Sequence, residues 1–236
     1  MLDYSVVVLT GGYGTRLSSV VADRPKILAP IGDTEFIHFF IKWLKVSRVS
    51  IDNVIFAAGY LGSQVNHIIE RDYSSMTVIV ESIPNGTFKA LVGCINCAIN
   101  DDILVLNGDT IFQNDFRLMH DYYSLLDPDQ GLLALKSVAS SSSSHGFDII
   151  NGRTMFRESP FNFTSLGALF TSKRAILSAY SKFYSKDKNA KLMIDSHFIT
   201  QIRPYPYVLT PTFFVDIGTP DSLLSAQSLI PFHLNV

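Results

Sequence analysis

Short β-rich apolar runs alternate with stretches of helical periodicity through the first half of this chain, and that alternation restricts the fold more than any other feature. The runs are Tyr4 to Leu9, Val54 to Ala58, Thr77 to Val80 and Ile103 to Leu106. Between the first two, Ile37, Phe40, Ile41 and Leu44 recur at i, i+3, i+4 and i+7, which makes one helix face apolar. The same test predicts helices over Gly62 to Glu70, Thr87 to Ala98 and Phe116 to Leu126. Strand and helix in turn imply βαβ units, hence a Rossmann-like α/β fold with a mixed, mainly parallel sheet flanked by helices. With 236 residues, 47% of them hydrophobic, the chain can bury a full core, and we expect a single domain over 1–236.

The second half carries different signals. A strand is expected over Gly131 to Lys136, followed by five consecutive serines, Ser140 to Ser144, a composition that reads as a mobile surface loop. Phe147 to Ile150 and Arg153 to Phe156 flank Asn151-Gly152, a pair suited to the positive φ angles of a type I′ turn, so an antiparallel hairpin should extend the sheet. Tyr207 to Val215 reads as one further strand. Thr219-Pro220-Asp221 then offers an N-cap, a first-position proline and a first-turn acid for a last helix.

Charge and cysteine usage exclude several classes. A formal net charge of -2 leaves no basic footprint, so nucleic acid is not an expected partner. No apolar stretch approaches the roughly 20 residues that cross a bilayer. The amino terminus lacks a charged secretory leader, so we expect a cytoplasmic protein with no membrane partner. Cys94 and Cys97 have C-x-x-C spacing, but there is no second pair, and Ala90, Leu91, Cys94 and Ala98 share one apolar helix face. A buried helix explains them better than a redox or zinc site.

The first strand runs into Leu9-Thr10-Gly11-Gly12-Tyr13-Gly14-Thr15-Arg16-Leu17. A glycine-rich turn directly after a buried strand lets backbone amides approach phosphate, and Arg16 adds a bidentate cation. The dinucleotide fingerprint fails because Leu17 stands where its last glycine belongs, and G-x-x-x-x-G-K-[ST] is absent, so hydride-transfer and P-loop enzymes are disfavoured. Lys26, in Asp23-Arg24-Pro25-Lys26, is close enough along the chain to return to the same phosphate region. Asp109 follows Leu106-Asn107-Gly108 at the carboxyl end of a strand, where open α/β sheets bind ligands. Asp216 ends another apolar run. Either acid alone suits a cap or turn, but together with the glycine loop they suit a magnesium ion.

The combination Gly-Gly-Tyr-Gly-Thr-Arg-Leu with Arg-Pro-Lys resembles the signature of the sugar-1-phosphate nucleotidyltransferases, and Asp23 to Ile31 looks most like their D-glycero-D-manno-heptose 1-phosphate guanylyltransferase branch. The resemblance implies a nucleotide-diphospho-sugar transferase, or GT-A-like, fold, with a nucleotide-binding half over about 1–137 and a sugar-phosphate-binding half over about 145–236. It implies a nucleoside triphosphate, GTP in that branch, and a sugar 1-phosphate as substrates, with Mg2+ on Asp109 and Asp216. It assigns the nucleotide to Leu9, Gly11, Gly12, Gly14, Thr15, Arg16, Lys26, Glu81, Gly86, Thr87, Asn107, Gly108 and Asp109, and catalysis to Arg16, Lys26, Asp109 and Asp216. The sugar phosphate falls to Gly146, Glu158, Ser165 and Asp195. This chain departs from the pattern at Phe88 and Lys89, where glycines are usual, at Ser159, where a lysine is usual, and near Asp195-Ser196-His197. Another base or sugar, or a non-catalytic nucleotide-sugar sensor, remains an alternative, and a homo-oligomer is compatible with everything above.

Overall fold

The computed structural model describes residues 4–83, 85–127, 129–139, 145–187 and 190–234; the serine run Ser140 to Ser144 lies outside them. The chain begins with β1 (Tyr4–Leu9), a small ladder of β2 (Pro30–Ile31) and β3 (Thr34–Glu35), then α1 (Phe36–Val46), β4 (Val54–Ala58), α2 (Gly62–Asp72), β5 (Thr77–Val80) and α3 (Thr87–Cys94). It continues through β6 (Asp102–Asn107), β7 (Thr110–Phe112), α4 (Phe116–Tyr123), β8 (Leu132–Ser137), β9 (His145–Ile150), β10 (Arg153–Glu158), β11 (Phe163–Ser172) and α5 (Lys173–Tyr184). A π-helical segment, Ile194–Ile199, runs into α6 (Thr200–Ile202), and β12 (Tyr205–Val208), β13 (Phe214–Asp216) and α7 (Pro220–Leu234) follow.

The main sheet has the order β10-β9-β11-β6-β1-β4-β5, with β8 also on β11 and β12 on β8. β6, β1, β4 and β5 run parallel to one another, whereas β11 is antiparallel to both β6 and β8. The fold is thus the mixed, mainly parallel sheet expected, and the β9–β10 hairpin turns at Asn151-Gly152 with φ of 51° and 71°. Both faces of β1 are covered: Val6 and Val8 join one core cluster with Phe36, Phe40 and Phe56, and Val7 joins the other with Ile55, Leu91 and Phe198. A strand buried on both sides favours a continuous apolar run, which is why Val6 to Leu9 shows no polar alternation.

Three expectations need correction. Tyr207 to Val215 is not one strand: β12 pairs with β8 in the main sheet, and β13 pairs with β7 in a separate ladder. Pro211, between them, has no amide to donate, so the chain changes ladders there. The helix expected through Ala98 ends as α at Cys94 and tightens into a 3-10 turn over Ile95–Cys97, and α4 stops at Tyr123 rather than Leu126. Cys94 is buried and Cys97 exposed, both as free thiols. β11 and α5 had no counterpart in the sequence reading. No helix among the described residues is long and apolar enough to cross a membrane.

The β7–β13 ladder is held to α1 through Trp43. Trp43 on α1 donates its indole N–H to the Phe112 carbonyl at 2.6 Å, and the Phe112 and Phe116 rings pack on it. Trp43, Phe112, Val215 and Ile217 belong to the same core cluster.

Candidate active site

The ladder brings the two aspartates together. Asp216 lies opposite Thr110, the neighbour of Asp109, and the Ile217 amide donates to the Asp109 carbonyl at 3.0 Å. Opposed residues of an antiparallel pair have Cα atoms about 4.5–5.5 Å apart, so the two acids are neighbours in space despite their separation in sequence. Asp109 Oδ2 accepts from Lys26 Nζ at 2.5 Å, and its Oδ1 accepts from the Thr110 hydroxyl at 2.9 Å. Asp216 Oδ1 accepts from the Gly218 amide at 2.5 Å. Around the point that a Cβ on Gly218 would occupy, Asp216 Oδ1 lies at 2.5 Å, Lys26 Nζ at 3.3 Å and an Arg16 guanidinium nitrogen at 3.4 Å. Two cations and two carboxylates therefore converge on one spot.

Burial and a like charge both act on Asp216 at that spot. Burial, and then the Asp109 carboxylate, raise the Asp216 carboxyl above the ordinary range, against the opposing pull of Lys26, Gly218 and Arg16. Two like charges held this close are relieved by a divalent cation. Among the described residues no group of three or more His, Cys, Asp or Glu side chains could hold a metal, so a cage made only of protein is absent. The donor set fits magnesium, which commonly takes one or two carboxylates and completes its octahedron with phosphate oxygens and water.

Beside this centre opens a cavity of about 450 Å³ whose walls include Leu9, Gly12, Gly14, Thr15, Arg16, Lys26, Thr87, Asn107, Gly108 and Asp109. Gly14 (φ 60°) leads into a 3-10 turn over Thr15–Leu17, and buried Leu17 pins the loop to the core while Arg16 stays exposed. Thr10 anchors the other end through its hydroxyl to the Ala57 carbonyl. An adjoining recess of about 290 Å³ holds Gly11, Glu81 and Gly86, and burial raises the Glu81 carboxyl above its ordinary value. The nucleotide-side candidates thus share two contiguous cavities at the carboxyl edge of β1 and β6.

The wall opposite the glycine loop had no sequence signal. The Phe88 amide donates to the Leu192 carbonyl, the Leu192 amide to the Asn85 carbonyl, and the Ile194 amide to the Thr87 hydroxyl, so the segment before the π-helix is laced to the start of α3. This puts Met193 in the lining of both cavities. The Phe88 ring, where the resemblance expects glycine, is fully buried and stacks on Phe198 at 4.8 Å, away from the cavity. Lys89 lines neither cavity.

Gly146, Glu158, Ser165 and Asp195 also line neither. A Cβ on Gly146 would lie 2.2 Å from the Phe161 ring, Glu158 is exposed at the end of β10, and the Ser165 hydroxyl accepts from the Gly167 amide. Asp195 has no side-chain hydrogen bond among the described residues; burial raises its carboxyl above the usual range, and His145 pulls it back in part. A carboxyl whose native pKa exceeds its unfolded one costs stability once ionised, and that cost grows as pH rises from the unfolded value through the native one. Asp195→Asn should therefore melt above the parent at pH 7, with the difference closing below about pH 4, the unperturbed aspartate range. Thermal melts across that interval check this.

Comparison with known proteins decides the family: a model described as nucleotidyl transferase matches residues 5–231. The chain belongs to the nucleotidyl transferase family. It is 26% identical over 235 residues to the D-glycero-alpha-D-manno-heptose 1-phosphate guanylyltransferase of Aneurinibacillus thermoaerophilus, covering 97% of this chain and 99% of that one. A Campylobacter jejuni enzyme of the same description is 31% identical over 134 residues, covering 56% and 57%. Among solved structures, HddC from Yersinia pseudotuberculosis shares the fold with a TM-score of 0.76 at 24% identity over 95% of this chain and 98% of that one. Another structure of HddC is complexed with GMP-PN. This nucleotidyl transferase thus has sugar-1-phosphate nucleotidyltransferases as its relatives.

Proposed function

We propose that this protein transfers a guanosine monophosphate unit from GTP to D-glycero-D-manno-heptose 1-phosphate and releases pyrophosphate. The observation that carries the reading is the convergence of Arg16, Lys26, Asp109 and Asp216 beside a cavity rimmed by a glycine loop. The choice of guanine and heptose rests on the relatives' activities and on the GMP-PN complex of HddC.

In the proposed reaction an oxygen of the sugar phosphate attacks the α-phosphorus in line, and the bond to the β-phosphate oxygen breaks. The attacking oxygen is already anionic, so no general base is required. Loop amides from Gly11 to Thr15 hold the triphosphate, with Leu9, Asn107 and Gly108 along its flank, and Glu81, Gly86 and Thr87 face the nucleoside recess. Arg16 and Lys26 balance the negative charge that grows on the leaving pyrophosphate. Asp109 and Asp216 would hold magnesium, which would shield the α-phosphate and draw its oxygens into position.

Pyrophosphate release by purified protein, with GTP, CTP, UTP, ATP and dTTP each offered heptose, mannose and glucose 1-phosphates, tests the reading. GTP with the heptose phosphate is expected to give the highest kcat/KM, and chelation by EDTA to abolish release. Preference for another pair redirects the substrate assignment, and nucleotide binding without any release identifies a sensor instead.

A further inference from the structure

Tyr13 carries the one large side chain between Thr10 and Thr15, and the proposed chemistry leaves its ring without a task. The loop is fixed at its ends, by the Thr10 hydroxyl on the Ala57 carbonyl and by buried Leu17. Its crest is thinly packed. A Cβ on Gly12 would meet nothing within 4 Å, and one on Gly14 only the Lys26 side chain at 3.8 Å. Glycines on both sides of Tyr13 let its ring swing without straining the backbone.

A single exposed apolar side chain needs no explanation. Tyr13, 57% exposed, is not single: the Tyr60 ring, itself 37% exposed, stands 5.7 Å from it between centroids. The two rings differ in what else they border. Tyr13 lines the smaller recess, with Gly11, Glu81, Gly86, Thr87 and Met193, whereas Tyr60 lines neither cavity. Tyr60 follows Gly59, whose amide nitrogen lies 3.2 Å from the point that a Cβ on Gly11 would occupy, so the turn after β4 runs directly beside the glycine loop. Tyr60 thus backs a ring that borders the recess.

The two cavities divide a nucleotide between them. Arg16 and Lys26 line the larger one only, so the triphosphate belongs there and the nucleoside in the recess of about 290 Å³. Every base offers a π-face, and a tyrosine laid against it adds contact area at little entropic cost because its ring turns on only two torsions.

Resting on the function proposed above, we propose that the Tyr13 ring, backed by Tyr60, closes on the nucleoside of the bound triphosphate, so that nucleotide affinity depends on an aromatic contact outside the phosphate cradle.

The test compares binding of GTP and of inorganic tripolyphosphate, each with magnesium, to the parent, Tyr13→Ala, Tyr13→Phe and Tyr60→Ala by titration calorimetry. Tyr13→Ala is expected to weaken GTP binding by about tenfold, the scale of one base–aromatic stack, and to leave tripolyphosphate within about twofold. Tyr13→Phe should keep most of the affinity, and Tyr60→Ala should lose part of it. In turnover, the nucleotide KM should rise in Tyr13→Ala while the acceptor KM holds. Unchanged GTP binding, an equal loss for GTP and tripolyphosphate, or a loss in Tyr13→Phe as large as in Tyr13→Ala overturns the inference. A parent that binds GTP through Tyr13 yet releases no pyrophosphate defeats the transferase reading and keeps the inference, and a parent that binds no GTP overturns the inference. Melting curves confirm folding, and Tyr13→Ser replaces the Ala variant if that one does not fold.

Discussion

Asp109→Asn is expected to lower pyrophosphate release by about a thousandfold, the loss typical of a group that stabilises charge only in the transition state. The change is nearly isosteric. The Thr110 hydroxyl keeps an oxygen to donate to, and Lys26, released from its 2.5 Å partner, remains beside Asp216. Stability should shift by no more than about 1 kcal/mol, as for most replacements at partly exposed positions. Asp216→Asn should show the same loss, and the double variant little more than either single one, because residues that act on one ion are strongly non-additive. Rates of the four proteins with GTP and a sugar 1-phosphate, with and without added magnesium, read this out. Metal-dependent release by Asp109→Asn at the parent's rate would remove the aspartates from the centre.

Gly86→Ala is expected to damage folding rather than chemistry. Gly86 has φ 97°, and an added Cβ would lie 2.1 Å from the Leu192 carbonyl oxygen and 2.7 Å from its carbon, a backbone neighbour that cannot rotate away. Relief requires parting the 190s segment from the start of α3, which breaks the hydrogen bonds from Phe88 and Ile194 and shifts Met193 from both cavities. Strained backbone plus lost hydrogen bonds puts the cost at about 2–4 kcal/mol. For a chain of this size that is a fall of roughly 5–15 °C in melting temperature. Scanning calorimetry of the variant measures it, and a melting temperature unchanged from the parent would refute the clash.

Local signals made much of the fold legible. β1, β4 and β5 have the bounds read from their apolar runs: β1 and β4 are buried parallel strands whose residues answer to both faces at once, and β5 is a short, partly exposed edge strand. β11 escaped because it changes environment along its length: Phe163, Thr164 and Ser165 are half-buried, Gly167 takes φ 75° at an irregularity, and only Leu166 and Ala168 to Ser172 are buried. A strand interrupted in that way shows neither alternation nor a continuous run. α5 escaped too, since its opening Lys173-Arg174 gives no acidic first turn, and its cap is the last residue of β11, Ser172.

The site divides along the same line. Gly11 to Arg16, Lys26, Asn107 and Asp109 belong to short motifs, and such motifs are visible in one dimension. The neighbourhood of Asp109 and Asp216 depends on a ladder, and the seating of Met193 on pairings between distant segments, which no spacing rule encodes. The sugar-phosphate candidates came from resemblance, and the surroundings of Gly146 and Ser165 are those of packing and turn residues.

The β7–β13 ladder has a consequence for how such a molecule is born. Its strands are only three residues each, and they belong to distant parts of the chain. A ribosome that has delivered Asp109 still has β8 to β12 to make before the partner acid emerges, so a nascent chain already owns its glycine loop yet holds half a centre. Closing so long a loop is slow compared with forming the βαβ units. On the function proposed above, competence would arrive only when the second strand docks, and an unfinished copy would not spend triphosphate.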